Sequence, residues 1–116
     1  MNITKGPWDF SEEKEGKEAG VWGPDGDAIA YPVYGNLGIG GEATDNARVI
    51  SCSLEMLEIL IKNYIDLDQI DRICEIAKVH PFNLMRKEIK DIIEKATNLK
   101  IEEVLEKYNN KDIIFK

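Results

Sequence analysis

The sequence predicts an α+β fold in which a small antiparallel sheet precedes a helical region. A turn signal flanked by apolar residues lies in the first third of the chain, and apolar residues recur at helical spacing through the second half. Strands that precede helices, instead of alternating with them, are typical of the α+β class. We therefore expect an N-terminal antiparallel β-hairpin or small sheet packed on an amphipathic helix, followed by a C-terminal helical region of about three helices.

The clearest local signal is the turn Pro24-Asp25-Gly26. Proline presets φ, aspartate hydrogen-bonds its own backbone, and glycine supplies the positive φ that closes such a turn. Apolar residues on both sides predict a hairpin with strands near residues 19–23 and 27–34. Because Pro32 has no N–H to donate, we expect its strand at an edge of the sheet, or an end of regular pairing there.

Three flanking segments complete the first part of the chain. Residues 6–10 contain two aromatics, Trp8 and Phe10, and predict a first short strand. The charge-dense segment 11–18 predicts an exposed loop. Residues 35–41 contain four glycines and predict a flexible connection to the first helix.

The first helix is predicted to start near Thr44, with Thr44 or Asp45 as its N-cap. Its apolar residues define one buried face: Ile50, Leu54, Leu57 and Ile61. Four more apolar residues broaden this stripe, so we expect the helix to be covered on more than one side: Val49, Met56, Ile59 and Leu60.

Further helices are predicted downstream. Asp66-x-x-Gln69 matches a capping box, which predicts a second helix that starts at Asp66 and ends before His80-Pro81. Asn83 is the predicted cap of a third helix. A short fourth helix is predicted from Ile101 to Asn109-Asn110.

Length and composition predict one domain of 116 residues, with a β-rich part over residues 1–42 and a helical part over 43–116. Twenty-two acidic and 15 basic residues give a net charge of −7. Direct nucleic-acid binding needs clustered Lys and Arg, so we do not expect it. A negative surface favours basic protein partners; the simpler interpretation is that the charge only confers solubility.

The location predicted from the sequence is the cytoplasm, without a membrane partner. No apolar run approaches the roughly 18 to 20 residues that span a bilayer, and the N-terminus lacks the apolar segment of a signal peptide. Cys52 and Cys74 form no C-x-x-C pattern and lie in helical sequence, which predicts buried, reduced thiols.

No residue pattern matches a catalytic or metal site. The glycine loop lacks the Gly-Lys-Ser/Thr of a phosphate-binding loop. His80 has no partners at metal-ligand spacing, and no G-x-S-x-G surrounds Ser51 or Ser53. We therefore predict a non-enzymatic protein with no catalytic residue, no metal ligand and no cofactor.

Aromatic residues concentrate in the β-rich part: Trp8, Trp22, Tyr31 and Tyr34. They are candidates for a partly exposed platform that binds a base or a partner protein. The alternative is that alternate members build the core between the sheet and the helix.

Three motifs follow one another in the chain: Gly6-Pro7-Trp8, Gly23-Pro24-Asp25-Gly26-Asp27-Ala28-Ile29-Ala30, and a helix start at Asn46-Ala47-Arg48. Over roughly residues 6–62 they resemble a family of small uncharacterised phage and prophage proteins with a GPW opening, a GPDGxxIA hairpin and a helix that reads NARLIAAAPELLEAL. This chain departs from the helix pattern at Ser51-Cys52-Ser53, and has Leu54 in place of the proline. The resemblance implies a phage or prophage accessory protein in a bacterial cytoplasm and transfers no catalytic residue.

The polar residues of the helix motif, Asn46 and Arg48, are candidates for a binding role. The alternative is that Asn46 caps the helix and Arg48 pairs with an acid such as Asp45.

A small acidic phage protein without catalytic motifs is expected to act by binding. Our first hypothesis is an inhibitor of a host factor or defence system, of the anti-CRISPR kind, whose acidic surface occupies a basic nucleic-acid channel of a host protein. The alternative is a protein that binds a nucleotide signal, with Arg48 and Trp22 or Tyr34 in its pocket. A third hypothesis is a phage structural or morphogenesis protein. The broad helix stripe and the edge strand near Pro32 are candidate homodimer surfaces.

Overall fold

A computed structural model of the chain describes residues 3–35 and 42–110. Three strands come first, and the helices follow, which confirms the α+β class. The strands are β1 (Asp9–Ser11), β2 (Ala19–Trp22) and β3 (Ala28–Val33). The helices are α1 (Glu42–Ser51), α2 (Ser53–Cys74), α3 (Asn83–Thr97) and α4 (Ile101–Asn109), with a 3₁₀ turn at Glu75–Ala77.

The described residues divide into two compact units. The sheet unit comprises residues 3–35 and 42–55, and the helical unit comprises residues 56–110. That both units belong to a single domain stays a prediction.

The sheet is antiparallel with the order β1-β2-β3, so β2 is its central strand. The predicted hairpin is confirmed. At its turn Gly26 has φ +84°, and the Gly23 N–H donates to the Asp27 carbonyl at 2.8 Å. The expected edge position of Pro32 is also confirmed, because β3 is an edge strand whose pairing with β2 is irregular between Ala19 and Val21.

The segments before the hairpin differ in detail from the prediction. The first strand covers Asp9–Ser11 instead of residues 6–10. Residues 12–18 are exposed as expected, but they contain a tight turn in which Lys14 and Lys17 exchange two backbone hydrogen bonds of 3.0 and 2.8 Å. Gly16 closes this turn with φ +76°. Of the predicted glycine loop, residues 36–41 lie outside the described residues.

The core of the sheet unit lies between the sheet and α1. Small side chains dominate it, so the helix backbone approaches the sheet closely. The buried residues are Ala19, Val21 and Val33 from the sheet and Ala43 and Ala47 from α1. The prediction of a small sheet packed on a helix is therefore confirmed.

Helix α1 starts earlier than predicted and ends sooner. It begins at Glu42, so the prediction that Thr44 or Asp45 caps it is wrong. The buried Thr44 hydroxyl instead accepts a hydrogen bond of 2.9 Å from the Glu13 N–H. The hydroxyls of Ser51 and Ser53 each donate to a carbonyl three residues earlier at 2.7 Å, and α1 gives way to α2 between them.

Helix α2 continues through Asp66, so the predicted helix start there is wrong. No Gly or Pro interrupts residues 53–74, and a capping-box spacing inside such a run does not end a helix. Leu54, Leu57 and Ile61 are buried as predicted. The expected cover on a second side is absent for Met56 and Ile59, which are at least half exposed in the described structure.

The last two helices match their predicted positions, but their ends differ in detail. Asn83 is the first residue of α3 and not its cap, which is Phe82. Asn98 ends α3 in the left-handed region, and the Glu94 carboxylate accepts a 2.8 Å hydrogen bond from the Ile101 N–H at the start of α4.

Cys52 and Cys74 are free thiols, but both are half-buried and not fully buried as expected. Within residues 3–35 and 42–110, no helix has the length and apolar character needed to cross a membrane.

A neutral cluster of two carboxylates and two guanidinium groups ties α2 to the start of α3. Asp71 is 2% exposed, and its Oδ2 lies 3.0 Å from Nε of Arg86 without hydrogen-bond geometry, so the contact is an ion pair. Its Oδ1 accepts a 3.2 Å hydrogen bond from the Phe82 N–H. Arg86 also pairs with Asp68, which accepts a second bond of 2.9 Å from Arg72.

Asp71→Ala is expected to lower the free energy of unfolding by about 3 kcal/mol, because it leaves the buried Nε of Arg86 without its counter-charge and the Phe82 N–H without its acceptor. Denaturant unfolding measures this change. Asp91→Ala, at an exposed site on α3, is the matched control and is expected to change stability by less than about 0.5 kcal/mol. Equal effects of the two substitutions would contradict the role given to Asp71.

Candidate binding cleft

The sheet unit contains a cleft of about 670 Å³ with aromatic and charged walls. It is formed by β1, β2, β3 and the tight turn at residues 14–17. The lining residues are Phe10, Ser11, Glu12, Lys14, Lys17, Glu18, Trp22 and Tyr31. This volume is in the range of small-molecule and side-chain pockets, roughly 300–1,000 Å³.

Two aromatic rings form one wall of the cleft. The ring centroids of Trp22 and Tyr31 are 5.1 Å apart, and the planes are tilted by 38°. The indole Nε1–H of Trp22 donates to the hydroxyl of Ser11 at 3.0 Å. Because the indole is held by a neighbouring ring and by a hydrogen bond, it presents a fixed apolar surface.

Gly20 lies beneath this ring pair and explains why the rings approach the backbone. A Cβ at this position would lie 2.8 Å from Cδ2 of Tyr31 and 3.0 Å from the Trp22 indole. Any side chain here would therefore displace one of the rings, so the pair requires glycine at position 20.

The rim of the cleft carries two lysines and two glutamates. Lys14 and Lys17 are paired directly across the tight turn, so their side chains leave the same side of the ribbon. Glu12 and Glu18 balance these charges, so the side chains around the cleft are electrically neutral overall.

Of the four residues predicted for binding, only Trp22 lines the cleft. Tyr34 lies outside its lining, with its hydroxyl 3.4 Å from both carboxylate oxygens of Glu18. Asn46 donates through Nδ2 to the Tyr34 carbonyl at 2.8 Å. Asn46 and Tyr34 are thus brought together, but in a contact that holds α1 against the residue after β3. The interpretation that Asn46 caps the helix is wrong, because α1 begins four residues earlier.

Arg48 forms the ion pair with Asp45 that the sequence offered as its alternative role. The two side chains meet at 2.9 Å, and the guanidinium lies 5.2 Å from the centroid of the Phe10 ring. Arg48 is not among the described residues that line the cleft. Lys14 and Lys17 of the tight turn are the cationic residues of the cleft lining, in place of the Arg48 expected from the sequence.

Ser11, Lys14 and Lys17 line the cleft although the sequence does not single them out as binding residues. Tyr31 belongs to the aromatic platform, but nothing in the linear pattern distinguishes it from Tyr34. The proline that follows Tyr31 is the available signal, because it marks the irregular pairing at which the ring turns over Gly20.

A second, smaller cleft of about 350 Å³ lies in the helical unit. Tyr64, Arg86 and Lys90 are among its walls. Burial, followed by the charge of Asp68, raises the pKa of the Tyr64 phenol, although Arg86 and Lys90 act in the opposite direction. Arg86 is already neutralised by Asp68 and Asp71, so this cleft offers less unpaired charge than its composition indicates.

Among residues 3–35 and 42–110 there is no group of three or more His, Cys, Asp or Glu side chains arranged to hold a metal ion. Neither a family model, nor a curated protein, nor a solved structure matches the chain. The resemblance to phage and prophage proteins therefore stays a prediction from the sequence motifs.

Ser11→Ala is expected to free the Trp22 indole N–H and to lower the free energy of unfolding by about 1 kcal/mol. Nitrogen-15 NMR provides an internal control, because the other tryptophan, Trp8, donates to the Thr4 carbonyl. We expect the Trp22 indole signal to shift and to exchange faster with solvent while the Trp8 signal stays in place. Movement of both signals, or of neither, would contradict the assigned hydrogen bond.

Proposed function

We propose that the chain is a non-enzymatic binding protein whose aromatic cleft receives an exposed segment of a partner protein. The observation that carries this proposal is the Trp22–Tyr31 pair, which stands open to the cleft above Gly20. Tyr and Trp are enriched among the residues that dominate binding energy at protein interfaces. Their rings supply contact area at a low cost in conformational entropy.

The rim supports a protein partner in preference to a uniformly charged ligand. Lys14 and Lys17 are accompanied by Glu12 and Glu18, and this mixture of charges matches the polar rim that surrounds an apolar interface centre. The net charge of −7 adds a long-range attraction toward a basic partner. Charge then accelerates encounter, and the aromatic pair holds the complex.

The biological role that we propose is inhibition of a host factor or defence system by a phage or prophage accessory protein. The motifs over roughly residues 6–62 and the acidic charge support it. A basic nucleic-acid-binding protein is the partner class that fits this charge, because a negative surface competes with phosphate for the same cationic residues.

Tyr31→Ala is expected to lower partner affinity by at least about tenfold, which corresponds to about 1.4 kcal/mol. Tyr34→Ala is the matched control, since both tyrosines are exposed, 51% and 65%, but only Tyr31 lines the cleft. The experiment captures proteins from a bacterial lysate on the wild type and both variants and identifies them by mass spectrometry. It then measures the affinity of each candidate by calorimetry at low and high salt.

The expected partner is retained by the wild type and by Tyr34→Ala, is lost with Tyr31→Ala, and binds less tightly at high salt. A partner that Tyr31→Ala retains at full affinity would contradict the role of the cleft. An affinity that does not change with salt would contradict the charge-based part of the proposal.

A nucleotide or related anion with an aromatic ring is the second candidate ligand. Lys14 and Lys17 stand side by side next to the Trp22–Tyr31 wall, so a base on the wall would place a phosphate near two ammonium groups. The carboxylates of Glu12 and Glu18 oppose such an anion, which is why this candidate ranks second.

A nucleotide panel tests this candidate through quenching of tryptophan fluorescence. If a nucleotide binds, Lys14→Gln/Lys17→Gln is expected to weaken binding by about tenfold per lost phosphate contact, or about 1.4 kcal/mol. Lys62→Gln, at an exposed site on α2, is expected to leave it unchanged. No quenching by any nucleotide of the panel would exclude this ligand class.

A further inference from the structure

Helix α2 presents a second stripe on the side opposite its buried face. Inward positions that are buried or half-buried recur along the helix at Leu57, Ile61, Tyr64, Asp68 and Asp71. The residue two positions after each of them is exposed, which places it about 200° around the helix axis. Together with Met56, these residues form the outer stripe: Met56, Ile59, Asn63, Asp66, Ile70 and Ile73.

The apolar members of the outer stripe are large and open to solvent. Met56 is 50% exposed, Ile59 56%, Ile70 41% and Ile73 72%. The steps between successive members alternate between three and four residues, as they do along the seam of a coiled coil. An exposed apolar row with this period is suited to packing against another helix.

The order of residue types in the outer stripe is the same in both directions. Two apolar residues, two polar residues and two apolar residues follow one another from Met56 to Ile73. If two copies of α2 cross in opposite directions, with the twofold axis between residues 63 and 66, each apolar member meets an apolar member of the second copy. Met56 then faces Ile73 of the second copy, and Ile59 faces its Ile70.

The polar centre of the stripe distinguishes the two possible orientations. In an antiparallel pair, the Asn63 amide lies opposite Asp66 of the second copy, where its N–H donates to the carboxylate. In a parallel pair the two Asp66 carboxylates would face each other and repel. A buried polar pair of this kind lowers stability but fixes the register of the two helices.

We propose that two copies of the chain associate through the outer stripe as an antiparallel α2–α2 homodimer. The interface is self-complementary under a twofold axis, which is the usual geometry of a homodimer. This surface lies in the helical unit, and the proposal does not depend on the function assigned to the aromatic cleft.

Sedimentation equilibrium over the micromolar range tests the association. We expect the wild type to be in a concentration-dependent monomer–dimer equilibrium and Ile59→Lys/Ile70→Lys to be monomeric. Leu84→Lys/Ile92→Lys is the matched control, because it replaces two exposed apolar residues on α3, outside the outer stripe, and is expected to retain the dimer. Circular dichroism checks that all variants keep their helix content. A wild type that is monomeric throughout, or a dimer that survives Ile59→Lys/Ile70→Lys, would overturn the proposal.

Oxidative cross-linking tests the orientation. In a background with Cys52→Ser and Cys74→Ala, the double variant Met56→Cys/Ile73→Cys is expected to form a covalent dimer, and Met56→Cys alone is not. Cross-linking by Met56→Cys alone would indicate parallel helices and overturn the antiparallel assignment. Absence of cross-linking in both variants would overturn the proposed register.

Discussion

Strand β2 pairs with β1 on one side and with β3 on the other, so its position is held from both edges. Ala19 and Val21 lie against the core with α1, and a strand alternates its faces, so Gly20 and Trp22 must lie on the other face. Ser11, which is paired with Gly20, shares that second face, and the Ser11–Trp22 side of the cleft is built on it. The alternation along β2 therefore places the Trp22 indole on the same face as Gly20, which leaves room for the rings, and Ser11, which accepts the indole hydrogen bond.

The helical unit is governed by a different constraint, the burial of a carboxylate. Asp71 is almost fully buried on the inner face of α2, and a buried charge needs a partner. Arg86 and the Phe82 N–H supply that partner, which ties the start of α3 to α2. Because the inner face takes these contacts, the apolar residues two positions further on are left at the surface. The outer stripe is therefore exposed because the opposite face of α2 makes the buried contacts.

The sequence predicts the parts of this structure that depend on local signals. The turn at Pro24-Asp25-Gly26, the edge position of Pro32 and the apolar face of α2 follow from backbone geometry and periodicity. The prediction of a helix start at Asp66 is wrong, because a capping-box spacing does not interrupt a continuous helix. The sequence also shows that α2 has apolar residues on two sides, but it does not show which of the two sides is exposed to solvent.

The candidate site is harder to predict from the sequence, because its residues come together only through tertiary structure. Trp22 is recognisable as an aromatic of the β part, but its partner is Tyr31 and not Tyr34 because of the irregular β2–β3 pairing. The motif predicts a binding role for Arg48, but its guanidinium forms an ion pair with Asp45 one helical turn away. Lys14 and Lys17 become neighbours of the cleft only through a turn that a charge-dense segment does not reveal.

We propose that the partner binds on the Trp22–Tyr31 face of the sheet. Fluorine NMR of protein labelled with 5-fluorotryptophan tests it most directly, because the chain has two tryptophans and only Trp22 lines the cleft. Titration with the captured partner is predicted to shift the Trp22 signal and to leave the Trp8 signal unchanged. A complex that forms without moving the Trp22 signal would show that the partner binds elsewhere on the protein.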